Sequence, residues 1–155
     1  MRKPSLAALL LIIVALLAAC AGGPPKRVFP PQASVQELRV LEDGSWRLSL
    51  RIRNFSTVPM RFSRLQASLT VGGQDATRFD FDPGVTVGPG SAELVEQVFT
   101  PGAGARDAVQ QALGNRRSVA YVLAGRLASS DPGTDDAIEY PSRLDPVPGL
   151  DGVLR

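Results

Sequence analysis

The sequence predicts a mainly β protein, a sandwich of about seven short strands joined by tight turns and carrying one short helix. Three observations point there. Apolar and polar residues alternate in Trp46–Arg53 and again in Leu65–Val71, the pattern of strands with one buried and one wet face. Asp43-Gly44 and Gly72-Gly73 stand at hairpin positions, two-residue connections suited to antiparallel strands. Only Arg106–Leu113 shows helical spacing, with Val109, Ala112 and Leu113 at i, i+3 and i+4. Short strands in this number, with turn signals between them, describe a two-sheet sandwich.

The chain opens with Arg2 and Lys3, then an apolar run from Leu6 to Leu17, then small residues and Cys20, the only cysteine. That is the three-part layout of a secretory signal. Because the small residues end in cysteine, it resembles a bacterial lipoprotein signal. The run is too short for a spanning helix, which needs ~20 apolar residues, and Gly22-Gly23-Pro24-Pro25 ends any helix soon after it. The resemblance implies cleavage between Ala19 and Cys20, a diacylglycerol on the sulfur and an acyl chain on the new amino group. Several acyl chains together hold a protein on a membrane, where one holds it only reversibly. Ala21, rather than aspartate, follows the cysteine. By the sorting rule of such lipoproteins this implies the outer membrane, periplasmic side, with the inner membrane as the alternative.

Loss of residues 1–19 removes two of the 17 basic residues and leaves them balanced against 15 acidic ones. A formally neutral mature chain carries no basic footprint for nucleic acid. With its one thiol acylated, the domain must fold without a disulfide. Residues 20–32 are expected to be the lipidated cysteine and a flexible tether, rich in glycine and proline. Lys26 and Arg27 within it serve solubility or touch anionic headgroups.

The domain is expected over residues 33–143. Its strands run from Val35 to Leu41, from Trp46 to Arg53, from Leu65 to Val71 and from Thr77 to Phe81. Asp82-Pro83-Gly84 and Gly88-Pro89-Gly90 bracket a short crossing before Ala92–Thr100. The helix over Arg106–Leu113 ends at Gly114, where a left-handed glycine belongs. Val119, Tyr121, Leu123 and Leu127 mark the next strand. Ala137–Tyr140 forms a last edge strand, which Pro141 is expected to stop. From Ser130 the chain is acidic and rich in proline and glycine, and residues 144–155 are read as a mobile tail.

The run from Trp46 through Arg53-Asn54-Phe55-Ser56 to Pro59-Met60 resembles the start of the late-embryogenesis-abundant type 2 family, also called the water-stress and hypersensitive-response (WHy) domain. In that family an alternating strand ends in Asn-Pro-Asn before the next strand opens. Asn54 matches the first asparagine, Phe55 stands in place of the proline and Ser56 in place of the second asparagine. Leu65–Val71 with Gly72-Gly73, Val87–Ser91 and Tyr121–Leu127 are similar to later family strands, so the likeness covers residues 33–143. It implies a fibronectin-III/immunoglobulin-like sandwich with one helix, and a non-enzymatic role in stress protection or envelope integrity.

Catalytic chemistry is poorly supplied. The chain has no histidine, so neither a Ser-His-Asp triad nor a histidine metal site is available, and no catalytic residue, metal or cofactor is expected. Asp80 with Asp82, and Asp131 with Asp135 and Asp136, are the acids with conceivable acid/base or calcium spacing. They are read as solvated strand and loop residues. Arg47, Arg51 and Arg53 project from one strand face, with Arg39, Arg61 and Arg64 expected nearby. They form either a wet face paired with acids such as Glu93 or a surface for anionic lipid or an acidic envelope partner.

Overall fold

Along Trp46–Arg53 the side chains of Trp46, Leu48, Leu50 and Ile52 are fully buried while Arg47, Arg51 and Arg53 are exposed. This strand sets the frame of the molecule. The computed structural model describes Gly23 and residues 25–155. Within them the strands are β1 (Gln32–Val40), β2 (Trp46–Arg53), β3 (Met60–Val71), β4 (Gln74–Phe81), β5 (Val85–Val87), β6 (Ala92–Phe99), β7 (Val119–Asp131), β8 (Gly133–Leu144) and β9 (Val153–Leu154), with helix α1 (Ala103–Asn115) between β6 and β7. One sheet has the order β6-β2-β1-β9 and the other β4-β3-β7-β8, with β5 also on β3. The expected sandwich is thus built from nine strands, β5 and β9 being the short additions.

The sheets face each other through β2 on one side and Phe62, Leu65, Leu69, Leu123 and Leu127 on the other, all buried. At one open side three edge-to-face aromatic contacts run from Trp46 to Phe99 (5.9 Å), Phe99 to Phe79 (5.4 Å) and Phe79 to Phe81 (6.1 Å), a geometry that ring quadrupoles favour. This chain of rings ties β6 to β4 across the gap. Elsewhere the phenol of Tyr121 on β7 meets the Val35 backbone of β1, its oxygen 3.2 Å from the nitrogen and 3.4 Å from the carbonyl. The register of β1 on β2 shifts just there, between Val35 and Glu37. The Val35 backbone N–H therefore finds its partner in the opposite sheet.

Burial pushes the Tyr121 phenol above its ordinary range, against the opposing pull of its bond to Val35. A raised phenol favours the folded state fully below the unfolded value, about 10, and loses that contribution as pH climbs through the folded one. Tyr121→Phe is expected to cost about 1–2 kcal/mol. The gap between wild type and variant stays constant up to about pH 10 and narrows above it, as denaturation midpoints measured from neutral to alkaline pH would show.

Three expectations are corrected. The helix extends from Ala103 to Asn115 rather than stopping before Gly114. Gly114 continues it, and the left-handed position falls on Arg116 (φ 51°, ψ 44°), with Arg117 N–H bonded to the Ala112 carbonyl at 2.9 Å. At its start the small residues Gly102 and Gly104 do not mark a loop. A Cβ on Gly104 would lie 2.7 Å from Gln74 Oε1, and one on Gly102 would strike the Asp75 carbonyl. They allow close approach of the helix to β4. Gly72 acts alike at the hairpin: its φ of 62° suits glycine, and a Cβ there would lie 2.5 Å from that of Ala108.

Pro141 does not stop the last long strand. β8 runs twelve residues to Leu144, pairing Pro141 with Val122 at the edge of its sheet. An edge strand needs hydrogen bonds on one side only, so a missing N–H is tolerated. Nor are residues 144–155 a free tail. Val147 N–H donates to the Val153 carbonyl at 2.9 Å, β9 pairs with Leu38 and Arg39 of β1, and Val153 and Leu154 are buried. Arg155 then reaches Glu37 at 2.8 Å. The acidic composition lies on the outer positions of a returning hairpin whose end plugs the core. Leu154→Ala is expected to lower stability by about 2–3 kcal/mol, read from the urea midpoint; an unchanged midpoint would mean that the end segment does not cap the sandwich.

Candidate functional site

The outer face of β2 gathers the arginines singled out in the sequence. Arg47 lies in register between Arg39 of β1 and Val98 of β6, Arg51 between Ser34 and Leu94, and Arg53 between Gln32 and Ala92. Leu94 and Val98 are both more than half exposed. The face therefore mixes guanidinium groups with open apolar side chains, which the alternation of β2 alone did not disclose. Among the described residues, the ion pairs join Arg39 and Arg155 to Glu37, Arg64 to Asp80 and Arg126 to Asp135, and include none of Arg47, Arg51 or Arg53. The bond from Arg155 holds the Glu37 carboxyl below its usual range, with burial opposing and Arg39 assisting.

The expected neighbours of this face are partly elsewhere. Arg61 and Arg64 lie on β3, in the other sheet. Arg64 grips Asp80 through two bonds of 2.9 Å, and Gln66 adds a third at 3.1 Å. The guanidinium, with Gln66 assisting, holds the Asp80 carboxyl below its ordinary range. Glu93 stands opposite Ile52, whose side chain points into the core, so it shares the side of β2 away from the arginines and cannot pair with them. Asp82 accepts the Gly84 N–H at 2.7 Å and shapes its turn, while Asp135 is bound by Arg126 at 3.0 Å. Asp80, Asp82 and Asp135 are thus engaged in separate structural contacts, whereas one carboxylate oxygen of Asp136 is buried without a hydrogen-bond partner among the described residues.

At the end of β2 the chain makes the bend at Asn54, whose side chain is fully buried. Its amide nitrogen faces the carbonyls of Val58 (2.8 Å), Val87 (3.0 Å) and Gly88 (3.2 Å), and its oxygen accepts the Ser56 N–H at 2.8 Å. Its own N–H donates to the Ser91 carbonyl at 2.9 Å. One residue thereby joins the turn before β3 to the turn before β6. Ser56 reaches the other way. Its hydroxyl accepts the Phe29 N–H at 2.9 Å, while Thr57 and Arg27 exchange bonds of 2.8 and 2.9 Å.

The supposed tether is therefore tied down from Pro25 onward, a correction to the expectation of a free segment through residue 32. Backbone groups and Ser/Thr hydroxyls make the attachment, so proline-rich composition gave no sign of it. The adjacent apolar pair Val28-Phe29 was the available signal, being out of place in a purely solvated linker. Ala19 and Cys20 lie outside the described residues. Among the described residues no helix is long and apolar enough to cross a membrane.

This sandwich has solved counterparts. The solution structure of a candidate late embryogenesis abundant (LEA) protein superposes with a TM-score of 0.50 at 12% identity, covering 95% of this chain and 84% of that one. The likeness shows a shared fold. A protein from Arabidopsis thaliana, also solved in solution, gives a TM-score of 0.49 at 12% identity over 84% of this chain and 87% of its own. No family model and no curated protein sequence matches the chain.

Proposed function

We propose that the chain is a membrane-anchored bacterial lipoprotein of the water-stress (LEA type 2) kind. It is held at Cys20 on the periplasmic side of the outer membrane and acts without catalysis, by surface contact with envelope components. The observation that carries this reading is the outer face of β2. There Arg47, Arg51 and Arg53 stand free of ion pairs among the described residues, beside the open side chains of Leu94 and Val98. Guanidinium groups beside apolar side chains suit phosphate-bearing lipid or carboxylate-bearing protein surfaces. The LEA-like sandwich and the lipoprotein-like N-terminus support the same reading.

Two measurements test it. Radioactive palmitate should label the wild-type chain and not Cys20→Ser; equal labelling of both, or of neither, would overturn the anchor. A client enzyme dried with the purified protein should keep more activity than with Arg47→Glu/Arg51→Glu. Equal protection would remove the arginine face from the mechanism.

A second reading is favoured by β6, which has a neighbour on one side only and displays Leu94 and Val98. An accessory subunit of an envelope assembly could receive a partner strand on that edge. Crosslinking in intact cells followed by pull-down separates the two, since this reading demands defined partners lost when proline is placed in β6.

A further inference from the structure

Six large apolar side chains are exposed among the described residues: Val28, Phe29, Phe55, Leu94, Val98 and Leu150. Three of them, Val28, Phe29 and Phe55, occur where the docked N-terminal lead meets the bend after β2. The lead and the bend, residues 25–31 and 53–59, contain Lys26, Arg27 and Arg53 and no acidic residue. The Arg53 guanidinium lies 4.8 Å from the centre of the Phe55 ring, so charge and aromatic surface are presented side by side. The turn at the opposite end of β2 instead carries Glu42 and Asp43. Of the acids toward the near end, Glu93 lies on β6 opposite Ile52, Asp131 closes β7 in the other sheet and Asp82 sits in the turn after β4.

We propose that Val28, Phe29 and Phe55, flanked by Lys26, Arg27 and Arg53, form a second membrane contact that seats the domain directly on an anionic bilayer. This rests on the anchored reading above and adds an orientation to it. Lys26 stands six positions after Cys20, and an extended chain spans at most ~3.5 Å per residue, so the patch begins within about 21 Å of the anchor. The hydrogen bonds from Arg27 and Phe29 to Thr57 and Ser56 prearrange it, which reduces the ordering cost of contact. Aromatic side chains with basic neighbours are what the boundary between headgroups and acyl chains accepts. A basic end toward the lipid and an acidic turn away from it also match the charge of such a surface.

The test uses the full chain, purified with its native N-terminal processing and reconstituted in vesicles of phosphatidylethanolamine and phosphatidylglycerol with brominated acyl chains. Tryptophan introduced as Phe55→Trp, or independently as Phe29→Trp, is expected to lose emission about twofold by sinking into the acyl boundary. The native Trp46 is buried in the core, about 23 Å from Arg53 along β2 at ~3.3 Å per residue, and should keep its emission. Both substituted positions are well exposed, so the fold is retained. Quenching no greater than that of Leu150→Trp, at the other end of the sandwich, would overturn the seat.

Palmitate labelling of the same preparations keeps the two readings apart. A labelled but unquenched protein refutes the seat and leaves the anchor, whereas an unlabelled but quenched one does the reverse. An unlabelled and unquenched protein refutes both. Quenching that is absent together with a concentration-dependent shift of Phe55→Trp emission would assign the patch to a second copy of the chain and likewise overturn the seat.

Discussion

Asn54→Asp is expected to destabilise the domain by about 4 kcal/mol at neutral pH, because it places an acceptor-only carboxylate against three carbonyl oxygens. The amide nitrogen now faces the carbonyls of Val58, Val87 and Gly88 within 2.8–3.2 Å. The introduced group would resist ionisation, so its pKa in the folded state lies above the unfolded value of about 3.9. Its protonated form can donate one of the lost hydrogen bonds. The penalty is therefore greatest above the folded pKa and shrinks as pH falls through it toward the unfolded value. Asn54→Ala, by contrast, should cost about 3 kcal/mol with no such pH dependence. Urea unfolding of both variants at acid and neutral pH distinguishes these outcomes. An Asp variant whose deficit does not change with pH would show that the bend opens to water.

Gly125→Val is the second large effect, expected to cost about 4 kcal/mol because the collision is with backbone rather than with a movable side chain. Gly125 sits in β7 opposite Ala67 of β3 and Ile138 of β8. A Cβ there would run into the Gln66 carbonyl, with the Cβ of Ala67 at 2.9 Å. In register, Ala67 in turn lies beside Phe79, so two small residues in a row leave room for an aromatic side chain in the core. Relief of the clash would require β3 and β7, the central pair of the larger sheet, to separate. Hydrogen exchange should therefore show faster exchange of β3 and β7 amides together. Retained protection and an unchanged denaturation midpoint would refute the close approach.

What could be read from the chain follows from how each element meets water. β2 and the second half of β3 bury one face against the other sheet, and alternation records that directly. β8 buries little beyond Ile138 and Leu144. Its inner face carries Thr134, Asp136 and Ser142 as well as Ile138, Tyr140 and Leu144, so the alternation in burial has no matching apolar alternation, and its acids resembled a loop. β9 is two residues long, below what periodicity can register. Helix α1 was recognised by its apolar stripe, but its first turn consists of small residues chosen for contact with β4, so its start was obscured.

The candidate surface was legible to a lesser degree. Arg47, Arg51 and Arg53 were visible as one strand face, but Leu94 and Val98 joined them only through the pairing of β6 with β2. Asn54 could be recognised as a strand-end asparagine. Its bonds to Val87 and Gly88, more than thirty residues away, depend on topology. The same holds for Phe29, whose place beside Ser56 is set by bonds between its backbone and the Ser56 hydroxyl, which its own side chain does not encode.

The attachment of residues 25–31 along the bend also has a mechanical consequence. A pull on the N-terminal side of the chain reaches the Arg27–Thr57 and Phe29–Ser56 bonds before it loads β1. Those few bonds can yield while the sheets stay intact, releasing seven residues that extend by ~3.3–3.6 Å each. The protein thus has two lengths between its N-terminal segment and its core, a short one at rest and a longer one under tension.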